Sequence, residues 1–363
     1  MLDDLFSHKI HASRDIEAWQ INLVRLATIF SVFDNKQFNR DAFDASLKTL
    51  APQAARSPFR DQYSIYLSIF GVGKIIWNGK NWICQISNTA RHFLLGVEPN
   101  IEAFCRLQLA LYQRPDARGQ KYNAGGLDME HQSHKMTLNL IKQGYRLCPF
   151  RLILKLFEAK AIFTKNNEDD VTVTPDEIYT MANLQTVYQQ PSPKLETLVE
   201  GLEALHKGKI PRPKIGRKTF KFLESTGLLS CDSKDHLRLV ECSSIEQRQI
   251  RDGQIHTIRN LNLFYDNILK ARNKNDLINI VKSGGWAKYF DAFNVLSASN
   301  IDIISGPDLV ITGGSIVDLS PLELPVITET EPSAPTPRPS SGACGSGRTS
   351  SPRTSSLRRW SSH

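Results

Sequence analysis

The sequence predicts a mainly α-helical fold with small β-hairpin wings and a disordered C-terminal tail. Apolar residues recur at the i, i+3, i+4 spacing of an α-helix over most of the chain. At two places in the chain the helical spacing ends at a glycine, and two short apolar runs follow, which predicts a hairpin at each place. From residue 319 onward, Pro, Ser, Thr and later Arg replace the apolar pattern, and this composition is typical of disordered segments.

The first hairpin follows a helix predicted over residues 63–70, where four apolar residues form one stripe that ends at Gly71. Asn78 and Gly79 then lie between two apolar strands, and this pair favours a two-residue type I′ turn. A helix followed by a small hairpin is the working half of a winged-helix unit, which binds DNA. The alternative is a helix and hairpin that only pack the core.

Polar residues mark the beginnings of several helices. Asn39 is expected to cap the second helix, and Thr174 to cap a helix whose first position is Pro175. Either Ser87 or Asn88 is expected to cap the helix that closes the first hairpin. Helices are predicted over residues 19–33, 40–47, 88–96, 101–112, 134–144, 149–163, 175–183, 191–205 and 245–283.

A second helix and hairpin occur later in the chain. The helix is predicted over residues 214–226, Gly227 ends it, and residues 232–235 form the hairpin tip. Residues 300–317 have the pattern of short strands. We therefore divide the chain into a first winged-helix domain (1–115), a second helical and winged-helix domain (116–244), a helical linker region with short strands (245–318) and a Pro/Ser/Arg-rich linker and tail (319–363).

The positive charge that matters for DNA binding is local. Half of the formal net charge of +8 comes from residues 331–363, which hold five Arg and one acid, so the rest of the chain is only mildly basic. Basic residues cluster before the second hairpin, with no acid until Glu224, and such a density suits phosphate neutralisation. A solvated helix face is the alternative. The cluster comprises Lys207, Lys209, Arg212, Lys214, Arg217, Lys218 and Lys221.

Further DNA-binding candidates lie at the start of the first predicted helix, on the first hairpin and at the tip of the second. They are Arg56, Arg60, Gln62, Lys74, Lys80 and Lys234. The helix candidates suit base contacts, because Arg pairs bidentately with guanine and Gln with adenine. Trp77 and Trp82 are expected to pack the hairpin rather than to stack on bases.

Composition argues against several other classes of protein. No run of about 18 apolar residues predicts a membrane span, and the charged N-terminus lacks the apolar stretch of a signal peptide, so we expect a cytoplasmic protein. The six cysteines form no CxxC and are expected to be reduced, mostly in the core. His131 and His134 form an HxxH without further ligands at metal spacing, so they are expected on the surface.

A nuclease centre of the PD…(D/E)xK kind needs two carboxylates and a Lys around Mg²⁺. Three fragments match part of that pattern: Glu158-Ala159-Lys160 on a helix, Asp232-Ser233-Lys234 at the hairpin tip, and Pro307-Asp308. None is complete, so no catalytic residue, metal ligand or cofactor is assigned to this chain, and whether it is an enzyme stays open.

Residues 58–240 resemble the DNA-recognition half of type IIS restriction and nicking endonucleases of the AlwI kind. The resemblance is carried, in order, by YLSIFGVGKIIWNGKNWICQISNTARHFLLG, IEAFCRLQLALYQRPDA, TLNLIKQGYRLCPFRLILKLFEAKA and RKTFKFLESTGLLSCDSKDHLRLV. It implies recognition by N-terminal winged helices, then a helical linker, then a Mg²⁺-dependent nuclease domain. The chain departs from the family after the Pro-rich residues 332–339, where the nuclease domain is expected.

The tail after that point has an unusual composition. It is rich in Ser, Gly and Arg, and no Lys occurs after Lys288. Translation out of frame and a genuine basic arm are both consistent with this, and we favour the first.

The sequence therefore predicts sequence-specific binding of double-stranded DNA, as the recognition portion of a restriction-type endonuclease in a defence system. The nuclease domain is missing, out of frame or on a second subunit, and Mg²⁺ is needed only where that domain is present. The alternatives are a stand-alone winged-helix regulator and a helical scaffold that binds proteins. Binding to a membrane is not expected.

Overall fold

Helices and small antiparallel hairpins form the part of the chain that the structure describes. The computed structural model describes residues 5–6, 16–50, 71–116, 122–123, 126–127, 132–212 and 220–306. In these residues the predicted fold class, mainly α with small hairpins, is confirmed.

The elements are as follows. The α-helices are α1 (Ile16–Val32), α2 (Arg40–Leu50), α3 (Asn88–Leu94), α4 (Ile101–Leu111), α5 (Gln132–Lys142), α6 (Pro149–Thr164), α7 (Pro175–Ala182), α8 (Gln185–Tyr188), α9 (Leu195–His206), α10 (Ile245–Asn260), α11 (Lys274–Ser283), α12 (Gly285–Tyr289), α13 (Ala292–Val295) and α14 (Ala298–Ser305). Short 3-10 helices span Glu168–Asp170, Lys221–Thr226 and Asp266–Lys270. The antiparallel pairs are β1 (Gly73–Trp77) with β2 (Trp82–Ile86), β3 (Tyr122–Asn123) with β4 (Gly126–Leu127), and β5 (Leu229–Cys231) with β6 (Leu237–Leu239).

The predicted caps form as expected. The side chain of Asn39 accepts hydrogen bonds from the first backbone N–H groups of α2 at 3.0 and 3.1 Å. Ser87, rather than Asn88, caps α3 by accepting from the N–H of Ala90 at 3.0 Å. Thr174 begins α7 in a capping box with Glu177, which satisfies backbone donors that the helix itself leaves unpaired.

The hairpin β1–β2, here called the first hairpin, and β5–β6, the second hairpin, share one local pattern. A glycine with positive φ stands two residues before each: Gly71 at +63° and Gly227 at +66°. Glycine suits both positions because it has no Cβ to clash in the left-handed region. In each hairpin, the residue after the second strand donates its N–H to the residue before the first. These bonds run from Ser87 to Val72 and from Val240 to Leu228, both at 3.0 Å.

A third chain segment pairs with each hairpin, and this extends the repeat. Gln37, just before α2, forms an antiparallel bridge with Ile83 of β2. Val173, just before α7, forms the same kind of bridge with Leu237 of β6. Both units therefore contain an edge segment that leads into a helix and pairs with the second strand of its hairpin.

Buried arginines connect neighbouring segments of the core through backbone carbonyls. Arg106, Arg151 and Arg259 are at most 7% exposed, and each donates to at least one backbone carbonyl. Arg106 on α4 donates to the carbonyls of Ile304 at 2.8 Å and Ser305 at 2.6 Å, at the end of α14. The last carbonyls of a helix have no partner within it, so a cation there stabilises the end.

The strands predicted over residues 300–317 are wrong where the structure describes them, because residues 298–305 form α14. Ser297 caps this helix by accepting from the N–H of Asn300. Ile304 is fully buried, and α14 packs against α4 and α10. Packing on two helices therefore overrides the β-propensity of the isoleucines. Residues 307–317 lie outside the described part.

Three further local predictions are corrected. The strands of the first hairpin end at Trp77 and resume at Trp82, so its loop has four residues and not two. In the helix predicted over 214–226, residues 221–226 form a 3-10 helix instead. The charged helix predicted over 245–283 is broken after α10, because Leu261 is extended there.

The described residues fall within one compact unit. Contacts in it run across the predicted domain boundaries, such as the hydrogen bond from Arg106 to the carbonyl of Thr226 at 2.7 Å. The division into domains at 115, 244 and 318 stays a prediction. The linker and tail lie outside the described residues.

Candidate nucleic-acid interface

The loop of the first hairpin is held in shape by one side chain. Asn78 accepts hydrogen bonds through Oδ1 from the backbone N–H groups of Lys80 at 3.0 Å and Asn81 at 2.7 Å. Its own N–H donates to the carbonyl of Asn81 at 3.1 Å. Gly79 takes φ +95°, and a Cβ there would meet no other atom within 4 Å. The loop thus projects from the protein with a fixed backbone.

Two tryptophans form the base of this loop. Trp77 and Trp82 face each other across the strands, with ring centroids 5.5 Å apart and planes at 61°. Trp82 is half-buried and packs against the core, as the sequence predicts for both. Trp77 is 36% exposed, one of the few large apolar side chains in the described chain with that much exposure.

The hairpin lysines lie in different surroundings. Lys80 is exposed in the loop, and no described carboxylate pairs with it. Lys74, by contrast, is half-buried near Asp291, Asp34 and Lys288. Burial lowers the pKa of Lys74, Lys288 lowers it further, and the two carboxylates oppose the shift. Lys288, an exposed residue of α12, thus adds a charge near the hairpin that the sequence pattern did not indicate.

Acidic groups near the first hairpin are already engaged. Residues 62–97 contain no Asp or Glu. Asp34 accepts from the N–H of Ile86 at 3.0 Å and pairs with Arg91 at 2.8 Å. Asp291 caps the start of α3. Within the described part of the chain, the exposed loop is therefore a cationic and aromatic surface that carries no carboxylate of its own.

The basic cluster before the second hairpin is partly neutralised. Its described members with acidic partners are Lys207 with Glu203, Arg212 with Asp176 at 3.7 Å, and Lys221 with Glu224 at 2.8 Å. Lys209 is exposed. Lys214, Arg217 and Lys218 lie outside the described residues, so their placement stays a prediction, as does that of Arg56, Arg60 and Gln62.

The tip of the second hairpin carries acidic residues, unlike the loop of the first hairpin. The carboxylate of Asp232 accepts from the N–H groups of Lys234 at 2.8 Å and His236 at 2.9 Å, which builds the turn. Lys234 itself is exposed, but Asp232 and Asp235 flank it. A phosphate would meet two carboxylates here.

The nuclease fragments on α6 do not converge. Lys160 pairs with the buried Glu177 at 2.7 Å and also donates to the carbonyl of Thr172. Glu158 instead lines a charged groove of about 700 Å³ on α6 and α10, where it lies 3.6 Å from Arg259. The arginines of that groove pair with its own carboxylates, as Arg251 does with Asp169 at 2.7 Å.

Other predicted features can be placed in part. Cys84, Cys105, Cys148 and Cys231 are buried free thiols, as expected, and burial raises the pKa of each. The described residues contain no group of three or more His, Cys, Asp or Glu that could hold a metal ion. Within the same residues, no helix combines the length and apolar character needed to cross a bilayer. His131 lies outside them.

No model of a known protein family matches the chain, and no curated protein matches it. Among solved structures, the chain is similar to the BpuJ1 endonuclease binding domain, in a crystal structure of its complex with pyrene- and phenanthrene-modified DNA. The similarity has a TM-score of 0.55 at 13% identity, and it covers 79% of this chain and 97% of the other. The chain therefore shares the fold of nearly the whole BpuJ1 endonuclease binding domain.

Proposed function

We propose that this protein binds double-stranded DNA sequence-specifically, as the recognition portion of a restriction-type endonuclease. The observation that carries the proposal is the shared fold with the BpuJ1 endonuclease binding domain, which was crystallised with DNA. Because fold alone does not determine function, the surface must agree as well. It does so at the first hairpin, whose exposed Lys80 and Trp77 have no carboxylate in the surrounding sequence.

The order of elements supports two winged-helix units within this fold. Each unit contains an edge segment, a helix and a hairpin, with the edge segment paired to the second strand. In a winged helix, the helix before the hairpin enters the major groove. We therefore propose Arg56, Arg60 and Gln62, which precede the first hairpin in the sequence, as base contacts.

Within restriction enzymes, we propose the AlwI-like type IIS group. The sequence patterns of residues 58–240 and their order support this assignment. A cytoplasmic restriction–modification system is the corresponding setting, with cleavage supplied by a domain or subunit other than the described residues.

Binding measured by fluorescence anisotropy tests the proposal. Purified protein is titrated with random-sequence duplex DNA at several salt concentrations, and binding sites are selected from a randomised pool. We expect a negative slope of log affinity against log salt and one enriched motif. Salt-dependent binding without a motif would refute specificity, and no binding at low salt would favour a protein-binding scaffold.

The base contacts are tested in the same selection. Arg56, Arg60 and Gln62 are each replaced by Ala in a separate variant. In at least one variant, the free-energy difference between the preferred base and the other bases is expected to fall by about 1–3 kcal/mol at one position of the motif. The same motif from all three variants would show that this segment is structural.

A further inference from the structure

We propose that Trp77 packs its indole ring directly against the sugars and bases of duplex DNA, and so supplies a part of the affinity that does not depend on salt. This inference rests on the proposed DNA binding and deepens it. Lys80, three residues further on, supplies the salt-dependent part from the same loop. The first hairpin then combines one aromatic and one phosphate contact.

The position of Trp77 in its strand supports this role. Side chains alternate along a strand, so Trp77 shares a face with Ile75, which is buried against the core. Its partner Trp82, directly opposite, also packs against the core. Trp77 therefore continues an apolar face beyond the edge of the core and into solvent. Tryptophan is highly buried on average, so this exposure is informative when its surroundings fit a ligand.

The surroundings of Trp77 fit a nucleic acid. The loop that follows it carries the exposed Lys80 and the amide side chains of Asn78 and Asn81, and no acid occurs in residues 62–97. The nearby carboxylates of Asp34 and Asp291 are already engaged by backbone N–H groups. The charges of Arg91, which pairs with Asp34, and of Lys74, which lies near both carboxylates, offset part of their repulsion of a polyanion. Apolar wedges on DNA-binding proteins insert at base steps in comparable settings.

The second hairpin provides the contrast within the same molecule. The residue that ends β5 is Cys231, which is buried and small. The tip beyond it carries Asp232 and Asp235. The repeated framework therefore has an aromatic and cationic tip in one copy, and in the other a tip where two carboxylates flank Lys234, so the first of these two hairpins has the loop better suited to DNA.

The test separates affinity from salt dependence. Trp77→Ala is expected to weaken binding by roughly tenfold or more while the salt slope stays that of the wild type, because no charge is removed. Lys80→Ala is expected to reduce the slope by about 0.9. Trp77→Phe should keep much of the affinity, and Phe293→Ala, which removes another exposed aromatic ring, should bind as the wild type.

Fluorescence gives a second readout that needs no destabilising change. In a background that carries both Trp82→Phe and Trp360→Phe, DNA should quench tryptophan emission, and Trp77→Phe should abolish most of that quenching, since Trp19 and Trp286 are buried. Wild-type affinity of a folded Trp77→Ala variant, together with unchanged quenching in Trp77→Phe, would overturn the assignment of Trp77. Failure of the wild type to bind DNA would instead overturn the proposed function.

Discussion

The carboxylate of Asp291 accepts hydrogen bonds from the hydroxyl of Thr89 at 2.6 Å and from its N–H at 3.2 Å. It also accepts from the N–H of Asn88 at 2.9 Å, so one side chain satisfies two backbone donors at the start of α3. Asp291 follows Thr89 by 202 residues in the chain. The helix that closes the first hairpin is therefore fixed to the region before α13, and the negative charge complements the helix dipole.

Replacing Asp291 by Ala is expected to lower the free energy of unfolding by about 1–3 kcal/mol, because the N–H groups of Asn88, Thr89 and Phe293 are left without their acceptor. Thr89→Val is the matched control: it keeps the carboxylate of Asp291 and leaves one backbone N–H, that of Ala292, without its acceptor, so a smaller decrease is expected. Urea unfolding followed by circular dichroism measures both. Equal stability of Asp291→Ala and the wild type would show that water replaces this cap.

Two glycines of the first hairpin should respond differently to substitution. A Cβ at Gly73 would clash with the ring of Phe30 and lie 2.9 Å from the carbonyl oxygen of Gln85, so Gly73→Ala should destabilise the fold strongly. A Cβ at Gly79 meets no atom, and only its φ of +95° resists the change. Gly79→Val should therefore destabilise the hairpin by the strain alone. Thermal melts of both variants compare them, and a larger decrease in stability for Gly79→Val than for Gly73→Ala would contradict this assignment.

The basic cluster is tested by its effect on salt dependence. Replacing Lys214, Arg217, Lys218 and Lys221 together by Ala should weaken DNA binding and flatten the salt slope by roughly 0.9 for each phosphate that is no longer neutralised. Lys221 pairs with Glu224, so its share should be small. Lys270→Ala, which removes an exposed lysine outside the cluster, is the control and should leave the slope unchanged. An unchanged slope in the folded fourfold variant would remove the cluster from the interface.

Acid should weaken the fold through Glu177. Burial raises the pKa of this carboxyl, but hydrogen bonds from Lys160, Thr174 and His206 outweigh it and hold the pKa below its ordinary value of 4.5. The carboxylate thus contributes stability above pH 4.5, and this contribution is lost as the pH falls through the lowered value. Glu177→Gln should be less stable at pH 7 and should be destabilised less by acidification. Parallel pH–stability curves for both proteins would argue against this role.

Cleavage is expected to be absent from this polypeptide. Plasmid DNA incubated with the protein and Mg²⁺ should stay supercoiled, since Glu158 and Lys160 pair with different residues. Nicking that disappears in Glu158→Gln or Lys160→Met would place a catalytic centre there, and nicking that survives would place it elsewhere.

Truncation after Pro339 should keep DNA binding apart from a modest electrostatic decrease in affinity, because the removed tail is basic.

Features set by neighbouring residues could be predicted from the sequence. The caps at Asn39 and Thr174 depend on side chains that bond within three residues, so the pattern alone specifies them. For α3 the pattern left Ser87 and Asn88 as alternatives, and the structure shows Ser87 as the cap. The apolar stripe of α1 was equally predictable, because the side chains that recur on one face are the ones that are buried.

Features set by distant contacts could not be predicted. A buried Arg106 looks like surface charge in the sequence, because its partner carbonyls lie 120 and more residues away. The isoleucines of α14 look like a strand until α4 and α10 are placed against them. The exposure of Trp77 depends in the same way on where the core ends, and no local pattern records that.

The contacts of Arg106 matter for protein engineering. This side chain joins the end of α14 to α4 and to the residue before Gly227. It therefore fixes the position of the backbone just before Gly306, the last residue of the final described range. A foreign effector domain grafted directly after Gly306 would therefore start from a fixed origin. The number of residues inserted at the junction would then control how far from the proposed DNA-binding surface the effector acts.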